Sequence, residues 1–182
     1  MEELEELKER MSQERPVDWD AFPDLGLYMD QIISYMPRQL IHYGDGDVLT
    51  SAMVNNYIKD GLLPRAEGKR YSQTHLAYLT AICVLKQVLS VREVKGLLAV
   101  GEQRKGSTQG LYDYFCQQLD GVLTETAQCI PGDGEEEDLP RLALGLALRS
   151  YANRLACQRV LDIMANHGMP GELPGKHHKE KK

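Results

Sequence analysis

The side chains able to do chemistry gather in two short runs. Thr50, Ser51, Asn55, Asn56 and Lys59 offer hydroxyls, amides and one cation. Arg65, Lys69, Arg70 and Tyr71 offer three cations and a phenol. Hydroxyls and amides both give and accept hydrogen bonds, and cations neutralise anions. Charge along the chain points to a partner. Residues 1–49 hold 12 acids against 4 bases, and residues 99–182 hold 12 acids against 10 bases. Between them, residues 50–98 hold 7 bases (Lys59, Arg65, Lys69, Arg70, Lys86, Arg92, Lys95) against 3 acids. A segment at +4 between acidic flanks, inside a chain of net −6, is where a polyanionic partner would dock.

Enzyme chemistry has no supporting pattern. The chain has no GxSxG, P-loop, GxGxxG or HExxH. Cys83, Cys116, Cys129 and Cys157 lie far apart, none at metal-ligand spacing, and are expected to pack as small apolar residues. Gly44-Asp-Gly-Asp47 resembles part of a calcium loop but lacks its later ligands. His177-His178 lies in a polar tail, and His75 reads as a surface histidine. Neither catalysis, a metal nor a cofactor is therefore expected. No run approaches the roughly 18 apolar residues of a membrane span. The acidic, amphipathic start MEELEELKER is unlike a secretory signal. A cytoplasmic protein with no membrane partner is expected.

Helical periodicity dominates the 182 residues. Residues 2–14 read as an exposed amphipathic helix, followed by a loop carrying Trp19 and Phe22. A helix is expected from about Leu25 to Ile41, ended or kinked at Pro37. Tyr43–Asp47 reads as a turn-rich linker. Thr50 is a good N-cap for a helix 51–60, with Gly61 past its end. Val54 and Ile58, four apart, are expected on its core side. Residues 65–71 form a tight turn around Gly68, with room for two very short strands. Ser72 caps a helix to about Val88, and the capping box Ser90–Glu93 opens another to about Val100. Residues 101–110 read as a linker and the best boundary in the chain. Helices follow over about 111–129 and 139–166, separated by an acidic loop. On the last helix Leu139, Leu142, Leu146, Ser150, Asn153, Cys157, Val160 and Met164 trace a nearly heptad stripe. That stripe could pair two copies of the chain, making a homodimer, or pack on the 111–129 helix of the same chain.

Residues 49–98 resemble the DNA-binding head of MerR-type winged-helix regulators. The resemblance rests on Tyr57, Lys59, Gly61-Leu62-Leu63-Pro64, Lys69-Arg70-Tyr71, the Leu79-x-x-Ile82-x-x-Leu85 run and Leu89 to Lys95, in that order. Leu27-Tyr28-Met29-Asp30-Gln31 and Met53 to Lys59 are also similar to an uncharacterised group from Gram-positive bacteria with a presumed role in transcription. The resemblance implies a mainly α fold: a MerR-like winged helix-turn-helix domain over 25–100 with a small β-hairpin wing. It would lie between an acidic helix and loop, 1–24, and C-terminal helices, 107–167, for dimerisation or effector sensing, with a mobile tail at 168–182. It implies a transcriptional regulator of double-stranded DNA. Helix 51–60 would enter the major groove through Thr50, Ser51, Asn55, Asn56 and Lys59. The wing 65–71 would meet phosphate through Arg65, Lys69, Arg70 and Tyr71. The chain departs from the family at Asn55-Asn56, where an arginine and a tyrosine are usual. A protein-interaction module that keeps the winged-helix shape without reading DNA is the alternative.

Overall fold

Polar side chains set where the helices of this chain begin. The computed structural model describes residues 2–41, 48–132 and 135–168. Its helices are α1 (Glu2–Gln13), α2 (Met29–Tyr35), α3 (Ser51–Lys59), α4 (Gln73–Leu85), α5 (Val91–Lys105), α6 (Thr108–Gln128) and α7 (Leu139–Asn166). Thr50 caps α3 by accepting from the Met53 N–H at 3.3 Å. At α5 the Glu93 carboxylate takes the Ser90 N–H at 2.7 Å, while the Ser90 hydroxyl takes the Glu93 N–H. Ser107 caps α6 through the Gly110 N–H. Each such cap satisfies a donor the helix cannot, and is worth about 1 kcal/mol.

Helix α4 is the centre of the fold. It is apolar on nearly every side, and Leu76, Ala77, Leu79, Thr80, Ala81 and Ile82 are all buried. A helix apolar all round must be covered all round. It packs against α6 and the 3₁₀ turn Met36–Gln39; α6 also packs against α1 and α5, and α2 packs on α3. Phe22, Tyr112 and Trp19 link the N-terminal loop to α6, with the Phe22 and Tyr112 rings 5.0 Å apart. The Tyr112 hydroxyl donates to the Val17 carbonyl at 2.8 Å. Arg15 pairs with Asp120 of α6, so α1 is docked and its acidic residues belong to the α6 side of the molecule.

Three expectations change. The β-hairpin wing is absent, because no strand exists among the described residues. Glu67 and Arg70 exchange both backbone hydrogen bonds across Gly68 and Lys69, and the pairing stops there. Pro64 has no N–H to extend one arm, and α4 begins at Gln73, three residues past Arg70. The next bridge, Tyr71 with Leu27, leaves the turn for a distant segment. The helix expected over 25–41 is confined to α2 and the Met36–Gln39 turn. Residues 101–110 are no linker: α5 runs to Lys105, Gly106 ends it at φ 78°, and α6 starts two residues later. Glu102 holds that junction by accepting from the Tyr78 hydroxyl at 2.8 Å and from the Thr108 hydroxyl. The 43–47 linker, its calcium-like segment, and the tail with His177 and His178 fall outside the described residues.

Among the described residues no helix is long and apolar enough to cross a membrane.

Candidate nucleic-acid interface

Helix α3 turns one face inward and leaves the other in water. Val54 and Tyr57 are buried, while Met53 and Ile58 are half-buried. Tyr57, more than Ile58, is therefore the partner of Val54 on the core side. Ser51, Asn55, Asn56 and Lys59 are exposed, with Thr50 at the N-terminus. The side chains of Ser51, Asn55, Asn56 and Lys59 bond to no other described residue, whereas Thr50 already serves as the cap. The far end of α3 is closed by the backbone. The Tyr57 carbonyl accepts from the Leu62 and Leu63 N–H groups, and Gly61 turns the chain at φ 67°. Lys95 of α5 donates to the Asp60 carbonyl at 2.9 Å, so one cation of the basic segment anchors α3. A positive charge there also complements the negative end of the helix dipole.

The Glu67–Arg70 turn presents the second run. Gly68 and Lys69 have φ of 55° and 66°, the left-handed pair of a type I′ turn. Glycine takes this conformation freely. Lysine takes it at a cost of about 1 kcal/mol. Lys69 is thus a cation held at the tip of a turn where asparagine or glycine would be the stable choice. Arg65 and Arg70 are exposed beside it. Arg70 is positioned by a segment more than 40 residues upstream: its Nη1 donates to the Gly26 carbonyl at 3.3 Å, and its guanidinium lies 4.8 Å from the Tyr28 ring centroid. A Cβ on Gly26 would stand 2.9 Å from the Arg70 Cβ, so this approach requires glycine. Tyr28 was not singled out as a site residue in the sequence, because nothing near it in the chain reveals the contact.

Tyr71 and His75 are buried, and neither reaches the surface run. The Tyr71 ring meets His75 edge-on at 5.2 Å, and burial pushes its phenol above the usual range. His75 is the third residue after the α4 N-cap and does the work usually done there by Glu or Gln. Its Nδ1 accepts from the Ser72 N–H at 3.0 Å, and its Nε2 donates to the Arg65 carbonyl at 3.3 Å. These bonds need the neutral ring with the proton on Nε2. Burial, the largest influence, lowers the His75 pKa below 6.5. The unfolded chain then binds the proton more readily, so this contribution to stability is complete above pH 6.5 and is lost as pH falls through the lower folded value. His75→Gln can keep the bond to Ser72 but cannot titrate. Chemical denaturation at pH 7.5 and 5.0 is expected to show a smaller acid loss of stability in that variant than in the wild type.

Burial raises the Cys83 thiol to about 11 and also raises Cys116 and Cys157, as expected of packed apolar sulfur. Cys129 is exposed at the end of α6, where Arg149 of α7 donates to its sulfur. Among the described residues no three His, Cys, Asp or Glu side chains group as metal ligands.

The chain matches no curated protein and no solved structure. A family model described as a domain of unknown function, DUF1836, matches residues 17–115, from the loop before Trp19 into α6. That match spans more than half of the 182 residues and takes in α2 to α5 with both polar runs, so the chain belongs to the DUF1836 family.

Proposed function

We propose that this protein binds double-stranded DNA and regulates transcription, with the exposed face of α3 toward the major groove and the Glu67–Arg70 turn on phosphate. The observation that carries the reading is the set of polar side chains on α3 that bond to no other described residue, followed ten residues on by a lysine held in a left-handed turn. Amide side chains suit base edges, asparagine being able to bond adenine with both its groups. Lys59, Arg65, Lys69 and Arg70 supply the cations that displace counterions from the phosphates. The order of motifs in residues 49–98 supports the same class of partner. Action would be by occluding or distorting a promoter, in the cytoplasm.

The test is binding of the purified protein to DNA upstream of its own and neighbouring genes, at about 50 and 200 mM salt. Wild type is expected to bind at least one fragment and to weaken steeply with salt. Lys69→Ala/Arg70→Ala is expected to bind at least about tenfold more weakly, with a log–log salt slope shallower by about two. Folded wild-type protein that binds no fragment at low salt would overturn the reading and redirect the search to a protein partner.

A further inference from the structure

Helix α7 has two apolar faces, and the chain covers only part of one. Leu161 is buried, and Cys157, Met164 and Ala165 pack against the main core, so the last third of the helix is docked. Leu142 and Leu146, half-buried, lie on the same side. The opposite side carries Leu144, Leu148, Tyr151 and Leu155, which are 61%, 59%, 65% and 55% exposed. These four lie on one stripe at the alternating four- and three-residue spacing of a coiled-coil seam. The nearly heptad stripe read from the sequence lies on the docked side, although its Ser150, Asn153 and Val160 are exposed; this seam is a second stripe.

We propose that the Leu144–Leu155 seam pairs with the same seam of a second copy of this chain, with the two α7 helices antiparallel. Two observations support a second copy as the partner, and the second of them sets the direction. The first is the spacing. From Leu144 to Leu155 the steps are four, three and four, the same read from either end. A two-fold axis between Arg149 and Ser150 therefore sets Leu144 against Leu155 of the second copy and Leu148 against Tyr151, with no seam residue left over. Self-complementarity about one axis is what a two-fold interface demands.

The second is charge. The seam is preceded by Glu136, Glu137 and Asp138 and flanked by Arg141 and Arg159, with Asp162 beyond. Antiparallel pairing brings Arg159 within a turn of Glu136 and Glu137 of the second copy, and Arg141 within a turn of its Asp162. Parallel pairing would instead set each of these charges against its own like. Like charges across a helix pair are repulsive, and opposite ones set partner and direction. The seam is about 17 Å long and uses four side chains per copy, so the contact falls at the small end of specific interfaces and micromolar association is expected. The inference does not depend on DNA binding.

Sedimentation equilibrium of the full chain at about 5 to 200 µM tests it, this range bracketing micromolar association. Wild type is expected to be a concentration-dependent dimer. Leu148→Lys and Tyr151→Glu, both at exposed positions, are each expected to be monomeric with unchanged far-UV circular dichroism. Mixed in equal amounts they are expected to dimerise, because the antiparallel axis sets the new lysine against the new glutamate and the remaining Tyr151 against the remaining Leu148. A wild type that stays monomeric throughout, or a Leu148→Lys variant that still dimerises, would overturn the proposal. Monomeric variants whose mixture stays monomeric would overturn the antiparallel pairing.

Discussion

Ile82→Ala is expected to cost about 2–5 kcal/mol, the range for large core residues cut to alanine. In a chain of this size that corresponds to a loss of roughly 5–20 °C in Tm. Ile82 has no exposed surface and lies on α4, the helix covered on all sides. Its cluster includes Phe22 from the N-terminal loop, Val54 and Tyr57 from α3, Val94 and Leu98 from α5, Tyr112 from α6 and Leu161 from α7. A cavity at Ile82 therefore opens in a core built from almost every element of the chain. Trp19 reports on this cluster through its edge contact with Phe22 and its approach to Tyr112. Wild type and variant should each unfold in one transition, with Trp19 fluorescence and far-UV circular dichroism giving the same midpoint. Two separated midpoints would mean that α6 and the segment 17–105 melt as independent units. Val122→Ala is the control: Val122 is 55% exposed, so the change should stay within about 0.5 kcal/mol.

What was legible in the sequence is what is decided within a few residues. Thr50, Ser72 and Ser90 announce helix starts because a cap is a bond between a side chain and a backbone N–H two or three positions on. The starts of α3, α4 and α5 follow from them. The capping role of Ser72 was readable, while that of His75 was not, because a histidine at that position reads as a surface residue until its burial is known. The turn at 65–71 was visible around Gly68. Whether it would grow into a hairpin depended on Tyr71 leaving to pair with Leu27, a partner 44 residues away. Residues 101–110, with three glycines, two glutamines and only polar residues besides, look like a linker by composition. They are helix up to Lys105 because Tyr78 and Thr108 converge on Glu102, which is again tertiary. The site has the same division. The exposed face of α3 follows from helical spacing and one cap. The fixing of Arg70 by Gly26 and Tyr28 comes from packing and leaves no local sign. Helix α7 shows a further limit: two apolar stripes on one helix compete for the core, and spacing does not say which is taken.

Asn55→Ala and Lys59→Ala are expected to weaken DNA binding in different ways, and the difference assigns their roles. The two side chains are exposed on the same helix, four residues apart, but one is a neutral amide and the other a cation. An asparagine bonded to a base edge contributes about 1–3 kcal/mol of discrimination, so Asn55→Ala should cost roughly five- to 150-fold on the preferred site. It should cost much less on unrelated sequence and leave the salt slope unchanged, because no counterion is released by a neutral group. Lys59→Ala should weaken all sequences alike and make the salt slope shallower by about one. Titrating both variants against the bound fragment and a scrambled one, at three salt concentrations, separates the two outcomes. If Asn55→Ala weakens both DNAs equally, the amide reads phosphate and α3 lies across the backbone. If neither substitution changes binding, the groove-facing assignment of α3 is wrong, and the Glu67–Arg70 turn would have to carry the contact by itself. Asn56 then offers a check on orientation. It follows Asn55 directly and is rotated about 100° around the helix, so a helix lying along the groove should not need both amides equally.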